Sequence, residues 1–172
     1  MEKTNAPARV IIAVDPAGSN HSKSDETGII VVAKGEDGNA YVLEDLSGKH
    51  APTKWPQIVV EAYHHFKADM VIIETNKGGN MATQLLRQHA PHLPIKEVHA
   101  RASKYERALP VASLYEQRKV FHARPFEELE NQLLRFEAKM NSSPDRVDAL
   151  VHGLRELFLT ERPPQFFRIW HI

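Results

Sequence analysis

Asp15 closes the apolar run Val10-Ile11-Ile12-Ala13-Val14, and Glu74 closes a second, Met70-Val71-Ile72-Ile73. Asp145 and Asp148 open a late amphipathic segment, Asp145-Arg146-Val147-Asp148-Ala149-Leu150. A carboxylate at the end of a buried strand is costly unless a cation or hydrogen bonds compensate it. Two such strand ends, with an acidic pair spaced i, i+3 on one helix face, bring three or four carboxylates to one place. A cluster of this kind suits two divalent ions roughly 3.5–4 Å apart, which clamp the attacking and leaving oxygens of a phosphodiester.

Each residue also has a plainer explanation. An Asp after a strand often forms a turn. Asp145 follows Pro144, and negative charge suits a helix N-terminus. Asp148 is harder to explain this way, because it sits among Val147, Ala149, Leu150 and Val151 on a turn that should pack inward.

The elements that must position these acids follow from periodicity. Residues 9–15 form a buried strand, and a polar stretch runs from Gly18 to Glu26. Thr27 to Ala33 is a second, β-branched run. Gly35-Glu36-Asp37-Gly38-Asn39 turns the chain into a third, Ala40 to Leu46. Trp55, Ile58, Val59, Ala62 and Phe66 make one helical stripe over 55–66. A strand at 70–74, a helix at about 80–89 and a strand at 95–98 come next. Helices at about 103–117, 126–139 and 145–159 complete the chain, with a short extended piece at 120–122.

Three antiparallel strands followed by helix, strand, helix and strand is the element order of the ribonuclease-H-like α/β fold. It predicts a mixed five-stranded sheet of order 3-2-1-4-5, flanked by helices. A right-handed crossover through the 55–66 helix makes the first and fourth strands parallel neighbours. Asp15 and Glu74 then share one sheet edge, and the last helix brings Asp145 and Asp148 towards them. Fold and chemistry point the same way.

Composition bounds the rest. The 172 residues, 42% hydrophobic and 26% charged, suit one domain, with a core at about 9–159 and a tail at 160–172. No apolar run approaches the roughly 18–20 residues of a membrane span, and residues 1–8 lack the apolar core of a signal peptide. Cysteine is absent, which leaves no disulfide framework or thiolate nucleophile. The expectation is a cytoplasmic protein without a membrane partner. Net charge is zero with histidine neutral, so the distribution of charge matters more than its sum. Basic residues gather along Lys96, His99, Arg101, Lys104, Arg107, Arg118, Lys119, His122 and Arg124, either as a nucleic-acid face or as ordinary solvated surface. His21 and His50 lie in polar loops without zinc-ligand spacing. His64 and His65 close a helix, where positive charge is favoured.

From about residue 9 to 159 the chain resembles the nuclease domain of the large terminase subunit of tailed bacteriophages. The anchors are Val14-Asp15-Pro16-Ala17-Gly18, Asp25-Glu26-Thr27-Gly28-Ile29, and Glu74-Thr75-Asn76-Lys77-Gly78-Gly79-Asn80-Met81. His99-Ala100-Arg101-Ala102-Ser103-Lys104, Arg107-Ala108-Leu109-Pro110-Val111, Leu114-Tyr115-Glu116, Leu129-Glu130-Asn131-Gln132 and Ser143-Pro144-Asp145-Arg146-Val147-Asp148-Ala149-Leu150 follow in order. The resemblance implies a metal-dependent endonuclease that cuts concatemeric viral DNA during packaging, in the host cytoplasm if the protein is viral. It implies two Mg²⁺ or Mn²⁺ ions held by Asp15, Glu74 and Asp148, with Asp145 as the variable partner. Double-stranded DNA is the implied substrate. In an intact motor the implied partners are the terminase ATPase domain, the small terminase subunit and the portal.

The packaging ATPase and its phosphate-binding Gly-x-x-x-x-Gly-Lys-Ser/Thr stretch are not in this sequence. The expectation is an excised domain or a stand-alone relative that does not hydrolyse ATP. Lys104, Arg107, Lys77 and Asn76 are the expected DNA contacts, although a solvated helix-start lysine also explains Lys104 and loop capping explains Asn76. Gly78 and Gly79 allow close backbone approach to DNA or a simple turn. The proline-broken aromatic tail leaves two expectations open: docking back on the domain or, in an intact assembly, contact with a partner such as the portal. Two rival readings stay open: a Holliday-junction resolvase or other ribonuclease-H-like nuclease, and a non-catalytic assembly module of the packaging motor.

Overall fold

The computed structural model describes residues 7–16, 26–75, 81–136 and 145–159. Its elements are β1 (Arg9–Asp15), β2 (Gly28–Lys34), β3 (Ala40–Asp45), α1 (Trp55–His65), β4 (Met70–Glu74), α2 (Met81–His89), β5 (Ile95–Val98), α3 (Lys104–Glu116), β6 (Val120–His122), α4 (Glu127–Phe136) and α5 (Asp145–Leu159). No helix among the described residues is long and apolar enough to cross a membrane.

The sheet order is β5-β4-β1-β2-β3-β6. β1, β2 and β3 form the antiparallel meander, while β4 runs parallel to β1 and β5 parallel to β4. The expected five-strand order is therefore present, with one correction. The extended piece at 120–122 is a sixth strand, parallel to β3, with Val120 opposite Ala40 and His122 opposite Val42. Three residues are too few to show an alternating pattern. What makes them a strand is the free edge of β3, which offers unpaired backbone groups.

Local chemistry explains the joints. The β2–β3 turn closes with Gly35 N donating to the Asn39 carbonyl and Asp37 accepting from Asn39 N. Gly38 there has φ +80°, a conformation open to glycine. Pro56 lies in the first turn of α1, where its missing N–H costs nothing. Ser103 and Glu106 form a reciprocal capping box that starts α3 at Lys104.

Strand alternation sorts the core into two layers. Val10, Ile12 and Val14 of β1 pack with Ile29, Val31, Val71 and Ile73 against Trp55 and Val59 of α1 and Leu86 of α2. Ile11 and Ala13 pack with Ile30, Val32 and Ile72 against α3, α4 and α5. Leu150 and Leu154 of α5 are fully buried in this second layer. Asp15 and Glu74 continue the phase of Ala13 and Ile72, so both belong to the face that α5 covers.

Candidate active site

β1 and β4 are in register with Val14 opposite Ile73. One step further along each strand brings Asp15 beside Glu74. On its other side Asp15 pairs with Gly28 of β2. A Cβ on Gly28 would stand 2.1 Å from the backbone oxygen of Asp145. The bare glycine is what lets the first turn of α5 lie against the strand end. A second close approach occurs at Gly153, where a Cβ would meet Val32 Cγ2 at 2.8 Å. Arg146 ties down the same turn: Nη1 donates to Asp45 Oδ2 at 2.7 Å and Nε to Glu26 Oε2 at 3.2 Å.

Docked this way, α5 presents Asp145, Asp148 and His152 along one stripe, at spacings of three and four residues. Asp148 is 3% exposed and accepts from Lys104 Nζ at 2.5 Å. Glu74 Oε2 lies 2.7 Å from His152 Nε2 and 3.6 Å from Arg107 Nη1. His152 Nε2 is also 2.8 Å from Arg107 Nη1. A ring nitrogen that donates to the carboxylate has no lone pair left for arginine. The Arg107–His152 contact is therefore close packing, and the arginine acts on Glu74 through its charge.

The electrostatics set the two strand-end acids apart. Burial pushes the Asp15 carboxyl well above the usual carboxylate range, and the negative charges of Glu74, Asp148 and Asp145 push it further, against a smaller opposing pull from Lys104. Burial also acts upward on Glu74. There the hydrogen bond and charge of His152, with the charges of Arg107 and Lys104, outweigh burial and leave its carboxyl below the ordinary value. Asp15 thus feels the other three acids across this sheet edge. Among the described residues, no three His, Asp or Glu side chains are gathered closely enough to hold an ion as they stand. Glu74 is turned to His152 and Arg107, and Asp148 to Lys104.

The donor set nevertheless fits a hard divalent cation. All four acids offer oxygen, which such ions prefer, and their mutual repulsion at Asp15 is what a cation would relieve. Lys104, whose side chain is 47% exposed, reaches solvent while it pairs with the buried Asp148, so it can give up that carboxylate where a cation takes over its charge.

The structure thus brings Asp15, Glu74, Asp145 and Asp148 to one edge and sets Lys104 beside them. Arg107, expected as a surface phosphate contact, is 6% exposed and held against Glu74 and His152. It becomes a buried cation because α3 packs across α5. Asn76, Lys77, Gly78 and Gly79 lie outside the described residues, as do His21 and the tail at 160–172. His50 spends its ring on the Leu46 carbonyl, at 2.9 Å. His122 is held between Tyr115 and Glu130, at 2.8 Å each.

The residue that sequence reasoning missed is His152. Its signal was available as the fourth position after Asp148, in the otherwise apolar stretch Leu150-Val151-His152-Gly153-Leu154.

The sheet order, the crossover and the acids on adjacent parallel strand ends define a ribonuclease-H-like domain. More narrowly, a family model described as the terminase RNaseH-like domain matches residues 12–157, and the chain belongs to that family. Solved structures agree on the fold. The large terminase nuclease from thermophilic phage G20c superimposes with a TM-score of 0.62 at 15% identity, over 86% of this chain and 82% of that one. A mutant nuclease domain of the large terminase subunit of bacterial virus Sf6, with manganese and beta-thujaplicinol, gives 0.60 at 13% identity, over 87% and 89%. The yeast mitochondrial Holliday junction resolvase Ydc2 gives 0.55 at 10% identity, over 90% and 82%. No curated protein matches the chain.

Proposed function

We propose that this chain is a metal-dependent DNA endonuclease that cuts concatemeric viral DNA during genome packaging. The observation that carries the reading is the juxtaposition of Asp15, Glu74, Asp145 and Asp148 at one sheet edge, in a chain of the terminase RNaseH-like family. These four residues would hold two Mg²⁺ or Mn²⁺ ions. A bound pair supplies water activation at neutral pH and neutralises charge developing on the departing oxygen of a phosphodiester. His152 and Arg107 fix the orientation of Glu74, and Lys104 beside Asp148 is placed to meet a phosphate. The ATPase domain, small terminase subunit and portal are the partners this role assigns in an intact motor.

The test combines cleavage with stability. Supercoiled plasmid should be nicked with Mg²⁺ or Mn²⁺ and left intact in EDTA. An ion that binds only the folded state stabilises it by RT ln(1 + [L]/Kd). The melting temperature should accordingly rise with Mn²⁺ or Mg²⁺ in the wild type, and not in a protein lacking both Asp15 and Asp148. A four-way junction, cut in parallel with linear duplex, separates the packaging role from resolution. Strong preference for the junction would overturn the packaging assignment while keeping the nuclease. A melting curve indifferent to both ions, with no cleavage, would overturn both.

A further inference from the structure

Beside Glu74, on the β5 side, lies a cleft of about 370 Å³ that the acid cluster does not use. This is within the roughly 300–1,000 Å³ range of ligand sites. It is lined by His99, Arg101, Arg107, His152, Arg155 and Glu156, among others. Its position follows from the chain: Thr75 immediately follows Glu74, and its hydroxyl lies 2.9 Å from His99 Nδ1.

The charge balance of this cleft is one-sided. Its acid, Glu156, is satisfied by Arg9 at 3.1 Å and Lys96 at 2.8 Å. Arg107 is shared with Glu74. Arg101 and Arg155 have no carboxylate partner among the described residues. Arg155 has only a 3.5 Å contact from Nη1 to the Arg107 carbonyl, at the outer limit of a hydrogen bond. Independently, Arg107 Nε is buried and finds no hydrogen-bond partner. A buried unsatisfied donor is costly and calls for an acceptor. Three guanidiniums with spare donors around one concavity suit a tetrahedral oxyanion, which arginine binds through paired N–H groups.

We infer that this cleft seats a backbone phosphate of the DNA strand adjacent to the one at the acid cluster, held by Arg101 and Arg155 with Arg107 at its wall. The inference rests on the nuclease reading for the identity of the strand, and on its own cleft for the contact. The seat fixes the strand on the β5 side of Glu74 and so sets its register along the acids. Arg101 and Arg155 are positioning residues, since neither touches the four acids.

The experiment uses the whole chain with Arg101→Ala and Arg155→Ala, singly and together. Arg107 is left intact because it is part of the Glu74 cluster. Binding of a fluorescent duplex is measured in EDTA across a salt series. The double variant should bind roughly tenfold more weakly, the loss of one charge-assisted contact. Its plot of log K against log salt should flatten by about 1. Arg101→Lys with Arg155→Lys should recover part of both changes. In cleavage, KM should rise while kcat at saturating DNA stays close to wild type.

A purely structural role for these arginines would lower the melting temperature and leave the salt slope alone, and that result overturns the inference. Duplex binding unchanged in the double variant also overturns it, even if wild type cleaves DNA. Inorganic phosphate and a deoxynucleoside monophosphate serve as separate probes. If they raise the wild-type melting temperature through Arg101 and Arg155 while duplex binding ignores both residues, the cleft is a free-anion site. If wild type binds duplex in the arginine-dependent way but never cleaves with any metal, the cleft stands and the nuclease reading falls.

Discussion

Asp15→Asn is expected to reduce DNA cleavage by at least about 10²-fold, the scale of losing one preorganised electrostatic contact, and to melt higher than wild type in metal-free buffer at neutral pH. The two halves of this result share one cause. Asp15 is buried and faces three other acids, so its ionised form is held in the fold at a cost. Its folded-state pKa lies above the ordinary value of 3.8, which means the folded state binds the proton more tightly than the unfolded chain does. The stability this contributes is complete below about pH 3.8 and is lost as pH rises through the folded-state value. At neutral pH the native carboxylate is therefore a liability, and the neutral amide removes it. The melting advantage of Asp15→Asn in EDTA should shrink as the buffer is acidified. With Mn²⁺ present the order should reverse, because only the wild type keeps the full set of oxygens. Wild-type cleavage by Asp15→Asn, or a variant less stable than wild type in EDTA at pH 7, would show that Asp15 is a structural turn residue after all.

The fold was legible where one physical signal dominated. The ends of β1 and β4 follow from apolar runs that stop at a carboxylate, and β5 lies at 95–98 as expected. The acid cluster was legible because strand order and helix spacing are both periodic properties of sequence. Arg107 was not, because its burial depends on how α3 crosses α5, and neither helix encodes that crossing in its own pattern. His152 was hidden for a related reason. A lone histidine in an apolar helix reads as core until β4 is known to place Glu74 opposite it. The extended piece at 120–122 was legible, but its place in the sheet was not, because pairing with the edge of β3 is not encoded in Val120-Phe121-His122. The cleft at Arg101 and Arg155 joins residues 54 positions apart, and only the docked α5 brings them together.

Gly28→Ala should damage site and fold together, although residue 28 carries no chemistry. Gly28 pairs with Asp15 in the sheet, and an added methyl would stand 2.1 Å from the Asp145 oxygen, 2.7 Å from the Asp145 carbonyl carbon and 3.1 Å from Ala149 Cβ. Two of these atoms are backbone, so no side-chain rotation relieves the overlap. The first turn of α5 must move away from the sheet, and it carries Asp145 and Asp148 with it. Overpacking of this kind costs about 1–3 kcal/mol, readable by chemical denaturation. Displacing reacting groups by about 1 Å can lower a rate by about 10², so cleavage should fall well beyond the stability loss. Gly153→Ala is the matched control. Its methyl would meet Val32 Cγ2 at 2.8 Å and Ala13 Cβ at 3.3 Å, both side-chain atoms, two turns further along α5. That variant should lose stability while keeping more of its cleavage. Equal activity losses in the two glycine variants, scaling only with stability, would mean that α5 shifts as a rigid body and that Gly28 has no special role in setting the acids.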